Sequence, residues 1–210
     1  RNIMIKNPLH YQISDYDCGP TSMLNAISYL FDREEIPPEI IRNTMLYCLD
    51  CHGTEGVPGK SGTSRAAMMF LSNWLNNCGE VGLLNVSSTY LSGKSVYLGQ
   101  QSYINDALTR GGAVVVRLFL DEPHYVLLTG IDKKNVYLFD PYLVEEPFDT
   151  KKVLITSEHP SEYNRIVPIS FFNCVEEELY SFGPYSGREA VLVFNKKTKL
   201  TSEKTIEYFI

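Results

Sequence analysis

Cysteine, basic charge and long apolar runs are all in short supply in this 210-residue sequence, and each shortage excludes a class of protein. Five cysteines are too few and too scattered for a disulfide scaffold, and the odd count leaves at least one free thiol, which favours a reducing compartment. No apolar run approaches the roughly 18 residues needed to span a bilayer, so membrane insertion is not expected. Lys and Arg number 19 against 25 Asp and Glu, a net charge of −6, which argues against nucleic acid or an anionic membrane as the main partner. There is no internal repeat, no low-complexity tract and no linker long enough to split the chain. The segment Arg1–Tyr11 lacks the apolar core of a secretory leader, so a cytoplasmic location is expected; a signal segment removed ahead of Arg1 is the alternative and would imply export. Hydrophobic residues at 44% and charged residues at 21% exclude disorder, collagen and coiled coil. What is present in quantity is tyrosine, 14 of them, in a chain long enough to bury a substantial core.

Periodicity divides the chain in two. Met23, Leu24, Ile27, Leu30 and Phe31 share one face of a helix opened by Cys18-Gly19-Pro20-Thr21, where Pro20 loses nothing by lacking an N–H. Glu39–Cys48 reads as a second, short helix. Thr63 or Ser64 is the expected N-cap of a third, with Ala67, Phe70, Leu71, Trp74, Leu75 and Cys78 on its apolar stripe and Gly79 as its terminator. Ser102 to Arg110 reads as a further helix. From Ala113 the period changes. Ala113–Leu120, Tyr125–Ile131, Val136–Phe139, Val153–Thr156, Arg165–Phe171 and Ala190–Phe194 are strand candidates, with Asp132-Lys133-Lys134-Asn135 as a turn. Helices first and antiparallel strands later is the α+β pattern, an N-terminal helical half packed on a C-terminal antiparallel β-sheet in one domain over residues 1–210.

Three residues together suggest nucleophilic chemistry. Cys18 precedes a helix, and unpaired backbone N–H groups at a helix N-terminus stabilise a thiolate. His124 starts an apolar strand, and Asp140 ends the neighbouring one. A general base needs an acceptor on an adjacent element to fix its tautomer and hold its charged form. Taken singly, a buried structural cysteine, an edge histidine and a turn-forming Asp-Pro explain these residues more cheaply. The pair carries a geometric condition. With an even turn centred on Lys133-Lys134, Asp140 lies opposite Leu127 and points away from His124. An odd turn or a one-residue bulge brings both to one face, so the Cys-His-Asp reading predicts one of these.

Gln12, five intervening residues and then Cys18-Gly19-Pro20-Thr21, with Asp17 just ahead, resembles the active-site start of the papain-like bacteriocin-processing peptidases that act on double-glycine leaders. His124-Tyr125-Val126-Leu127-Leu128-Thr129-Gly130-Ile131, followed by Val136 to Asp140-Pro141, is similar to that family's second motif. The resemblance runs over roughly residues 8–145. It implies a papain-like fold, with Cys18 as nucleophile, His124 as general base and then acid, Asp140 as its orienting partner and Gln12 as an oxyanion donor beside the Cys18 N–H. It implies a peptide or acyl substrate and requires no cofactor and no metal. The sequence carries no ATP-binding or transmembrane module, so coupling to an exporter is not expected, and extra sequence near 32–62 and 145–187 is placed to reshape the cleft.

Other patterns carry less. Cys48-Leu49-Asp50-Cys51-His52 matches a haem-attachment sequence and half a zinc site, but no second paired spacing completes it. Gly53 to Ser61 misses a phosphate-binding loop by one position and has no strand before it. The aromatic group Phe171, Phe172, Tyr180, Phe182 and Tyr185 is either core or groove lining. Three functions fit the residues. A cysteine peptidase is favoured by Gln12; an acyltransferase or amidase uses the same side chains with an amine in place of water; a non-catalytic binding domain ranks last.

Overall fold

The computed structural model describes residues 6–201; residues 1–5, part of the segment read for a leader, lie outside it. The fold is α+β. Helices α1 (Cys18–Leu30), α2 (Pro38–Cys48) and α3 (Arg65–Glu80) precede β1 (Val86–Ser92), and α4 (Tyr103–Thr109) leads into β2 (Ala113–Leu120), β3 (Glu122–Ile131) and β4 (Asn135–Phe139). After these come β5 (Leu154–Ile155), β6 (Arg165–Pro168) and β7 (Glu189–Asn195). The seven strands form one antiparallel sheet in the order β1-β7-β2-β3-β4-β6-β5.

Alternate residues of the central strands feed two cores. Val115, Leu127, Phe139 and Val193 share one cluster with Met23 and Ile27 of α1 and Leu71 and Leu75 of α3. Val116, Val126, Leu128 and Leu138 share the other with Ile104 and Leu108 of α4 and with Phe172, Tyr180 and Phe182. Both faces of the sheet are therefore covered, which explains why its central strands read as continuous apolar runs rather than as an alternation.

Most element boundaries follow local chemistry. Ser64 caps α3, its hydroxyl accepting from the Ala67 N–H at 3.0 Å, and Ser102 caps α4. Three expectations need correction. Gly79 does not end α3, which runs on to Glu80; a Cβ there would lie 1.8 Å from the Val86 carbonyl oxygen, so glycine serves close approach of β1 rather than termination. The strand β1 itself escaped the periodicity reading, because Val86–Ser92 is rich in serine and half exposed. The candidate strands at 153–156 and 165–171 shrink to two and four residues, the second ending at Pro168, whose ring removes a ladder donor.

Candidate active site

The hairpin of β3 and β4 decides where His124 and Asp140 point. Its turn is even: Ile131 pairs with Val136, and Asp132 caps the four intervening residues by accepting from the Lys134 and Asn135 N–H groups at 2.7 Å each. Between Leu128 and Gly130 the register shifts, leaving Thr129 as an extra residue. Beyond this bulge Leu128 pairs with Leu138. His124 stands four residues before Leu128 and Asp140 two after Leu138, so the two side chains share a face. They meet there, with His124 Nε2 and Asp140 Oδ1 2.8 Å apart. The bulge is anchored from the helical side, where the Tyr29 hydroxyl of α1 donates to the Thr129 carbonyl at 3.2 Å.

Asp140 is completely buried, and its charge is met on every side. Oδ1 also accepts from the Tyr142 N–H at 2.9 Å, and Oδ2 accepts from the Tyr180 hydroxyl at 2.7 Å. Asn164 bridges its backbone, accepting from the Asp140 N–H and donating to the Asp140 carbonyl, both at 2.8 Å. Burial pushes the Asp140 carboxyl up, but the bonds with His124 and Tyr180 outweigh it and hold the group below its usual value. The imidazole shows the complementary balance. Desolvation is the largest influence and lowers its pKa, yet Asp140 and Cys18 together favour the charged ring and raise it to about 10. Both partners thus favour the charged form of the ring, whose Nε2 faces Asp140 Oδ1.

Cys18 is the first residue of α1 and is 9% exposed. The loop before it is locked by Asp17, whose carboxylate accepts from the Ile13 N–H at 3.0 Å, the Ser14 N–H at 2.7 Å and the Ser14 hydroxyl at 2.7 Å. One turn on, the buried Ser22 hydroxyl donates to the Tyr125 carbonyl at 3.1 Å, tying the helix start to the residue beside His124. Gln12 is joined to the Asp140-Pro141 corner through its N–H, which donates to the Pro141 carbonyl at 2.8 Å. Its side-chain Nε2 donates to the Ser14 carbonyl at 2.7 Å, while its Oε1 is buried without a partner. Cys18 lies in the wall of a cleft of about 680 Å³ shared with Tyr16, Lys60, Thr63, Arg117 and Glu122.

The four residues expected at the site thus come from the loop before α1, from α1 itself, from β3 and from the end of β4. The structure adds Tyr180, Asn164, Ser22 and Asp17. Asp17 was visible as part of the motif, and Ser22 lies one turn from Cys18 on the same helix. Tyr180 stood in the sequence only within an aromatic group read as core or groove lining, and nothing there pointed to Asn164. The remaining cysteines sit elsewhere: Cys48 is buried with its sulfur 3.9 Å from that of Met68, and Cys78 is buried in the core that α1 and α3 share. Among the described residues no helix is long and apolar enough to cross a membrane.

Among curated proteins none matches the chain. A family model described as "Peptidase_C39 like family" matches residues 4–166, well over half of the chain and all of the segment from Gln12 to Asp140. The chain belongs to the Peptidase_C39 like family.

Proposed function

We propose that this protein is a papain-like cysteine peptidase, a single domain over residues 1–210, that hydrolyses a peptide or amide bond through Cys18, His124, Asp140 and Gln12. The observation that carries the reading is the buried His124–Asp140 contact of 2.8 Å, obtained through a bulge at Thr129. In the first half-reaction the Cys18 thiolate attacks the carbonyl carbon and the carbonyl electron pair moves to oxygen. The N–H groups of Cys18 and of the Gln12 amide meet that oxyanion. When the intermediate collapses, the C–N bond breaks and the Nδ1 proton of the His124 imidazolium goes to the departing amine. In the second half-reaction neutral His124 takes a proton from water, whose oxygen attacks the thioester. Collapse then releases the acid and restores the thiolate–imidazolium pair. Asp140 holds the ring by Nε2 throughout and keeps its own charge. Asp15, Lys60 and Glu122 at the cleft rim are exposed, so water reaches the thioester.

The cysteines provide the test. Burial first, with the Asp50 charge, pushes the Cys48 thiol up to about 12. Burial raises those of Cys51 and Cys78, and a hydrogen bond with Glu176 raises that of Cys174. Iodoacetamide alkylation read by mass spectrometry at each cysteine between pH 5 and 9 is expected to modify Cys18 alone at the acid end. His124→Ala is expected to remove that advantage. Equal reactivity of Cys18 and Cys51, or a profile indifferent to His124, overturns the reading. Peptide and acyl-donor libraries offered with and without amines then identify the acceptor, with Cys18→Ala as the blank.

A further inference from the structure

Asp140 is the buried anion on which the proposed reading depends, and one of its donors comes from a part of the chain outside the family match, which ends at residue 166. Tyr180 is fully buried, and its hydroxyl donates to Asp140 Oδ2 at 2.7 Å while His124 and the Tyr142 N–H occupy Oδ1. Its backbone sits in the left-handed region at φ 57°, an unusual state for an aromatic residue that persists only where the surroundings impose it. Here β2 imposes it: the Tyr180 N–H donates to the Phe119 carbonyl at 2.7 Å, and the Phe119 N–H donates to the Ser181 carbonyl at 3.1 Å. The ring packs edge-on against Phe148, with centroids 5.8 Å apart. Behind the hydroxyl stands Arg165 of β6, a buried guanidinium that donates to the Asn164 carbonyl at 2.9 Å and whose Nε has no partner. Arg165 and the Asp140 charge act in opposite directions on the Tyr180 phenol, so all three groups share one electrostatic environment.

The charged and titratable groups around Asp140 are therefore His124 from β3, with Cys18 beyond it, Arg165 from β6, and Tyr180 from the segment between β6 and β7. Two donors on Oδ1 alone leave the other oxygen of a wholly buried carboxylate bare, which is costly. The Tyr180 hydroxyl adds an attachment at the second oxygen, so a turn about χ2 would break hydrogen bonds at both ends of the carboxylate. We propose that Tyr180 is a positioning residue of the site, its hydroxyl fixing Asp140 in the orientation that presents Oδ1 to His124. This inference rests on the thiol–imidazole reading above.

The test begins with the alkylation profile of Cys18 in the wild type and in His124→Ala. If Cys18 reactivity does not depend on His124, the reading itself fails, before any Tyr180 variant is made. If it does depend on His124, Tyr180→Phe keeps the ring and removes only the hydroxyl. Asp140 then binds a proton more readily, and the acid limb of the Cys18 profile is expected to move up by about one pH unit, as loss of a hydrogen bond to a charged group implies. Phe148→Leu loosens the same packing and is expected to leave that limb in place. An acid limb unchanged in Tyr180→Phe, or moved equally by Phe148→Leu, overturns the inference and leaves the reading standing. Should Tyr180→Phe fail to fold, the double variant Asp140→Asn/Tyr180→Phe decides. Removing the charge removes the need for the hydroxyl, so the double variant should fold and react as Asp140→Asn does. A double variant that fails to fold, or reacts more slowly than Asp140→Asn, makes the residue structural only and overturns the inference.

Discussion

Gln12 illustrates how much a single side chain is asked to do. One N–H of its amide is spent on the Ser14 carbonyl, and in the proposed mechanism the second serves the oxyanion. Its loop does not depend on that bond, because Asp17 holds Ser14 by both its N–H and its hydroxyl. Gln12→Ala should therefore leave the fold unchanged and lower kcat by about 100–1000-fold with little effect on KM, the pattern of a donor used only in the transition state. Steady-state kinetics on a peptide found by library screening checks this, and a change confined to KM would contradict it. Asp17 is legible in the sequence as a neighbour of Cys18. Its use is not: burial raises its carboxyl, but the Ile13 and Ser14 bonds prevail and hold it below its usual value, so it serves as a charged clasp for the loop.

At the scale of elements, one extra residue and one missing side chain set the geometry. Thr129 is the extra residue; without it the even turn at 132–135 would aim Asp140 away from His124, since the side-chain period of a strand is two. Gly79 is the missing side chain. Helix propensity alone would favour alanine there by about 0.5–1 kcal/mol. A Cβ would instead meet the Val86 carbonyl oxygen at 1.8 Å, a backbone atom in a seven-residue strand that cannot swing aside. Overpacking of this kind costs about 1–3 kcal/mol, so Gly79→Ala is expected to lower the urea unfolding midpoint. An unchanged or raised midpoint would show that α3 and β1 separate more easily than their packing suggests.

For the molecule as a whole, the His124–Asp140 pair links stability to pH with a definite sign. The imidazole is raised from 6.5 to about 10 in the folded state, so its contribution is complete below pH 6.5 and is lost as pH rises through about 10. The carboxyl is lowered from 3.8, so its contribution is present above that pH and is lost on acidification through its lowered value. The pair therefore stabilises fully between about pH 3.8 and 6.5. The difference in Tm between the wild type and His124→Ala should be largest in that window and shrink steadily toward pH 10. A difference that grows with pH would reverse the sign and place an uncharged ring in the native state.

The order of residues was enough to dictate the α+β class, the four helices to within a few residues, the central strands, and the residue types and spacing that tie the chain to its family. These are local properties: apolar period, capping residues and turn formers act over a few positions. It also stated the condition that brings His124 and Asp140 together, an odd turn or a bulge, without being able to choose between them. That choice belongs to the tertiary structure, because the bulge carbonyl is held by Tyr29 from a helix 100 residues away in the chain. Tyr180 shows the same limit more sharply. Among the aromatic residues at 171–185 nothing local separates core from cleft. The covering of the second sheet face buries Phe172, Tyr180 and Phe182 together and, because Asp140 points to that face, turns one of three buried rings into a partner of the carboxylate.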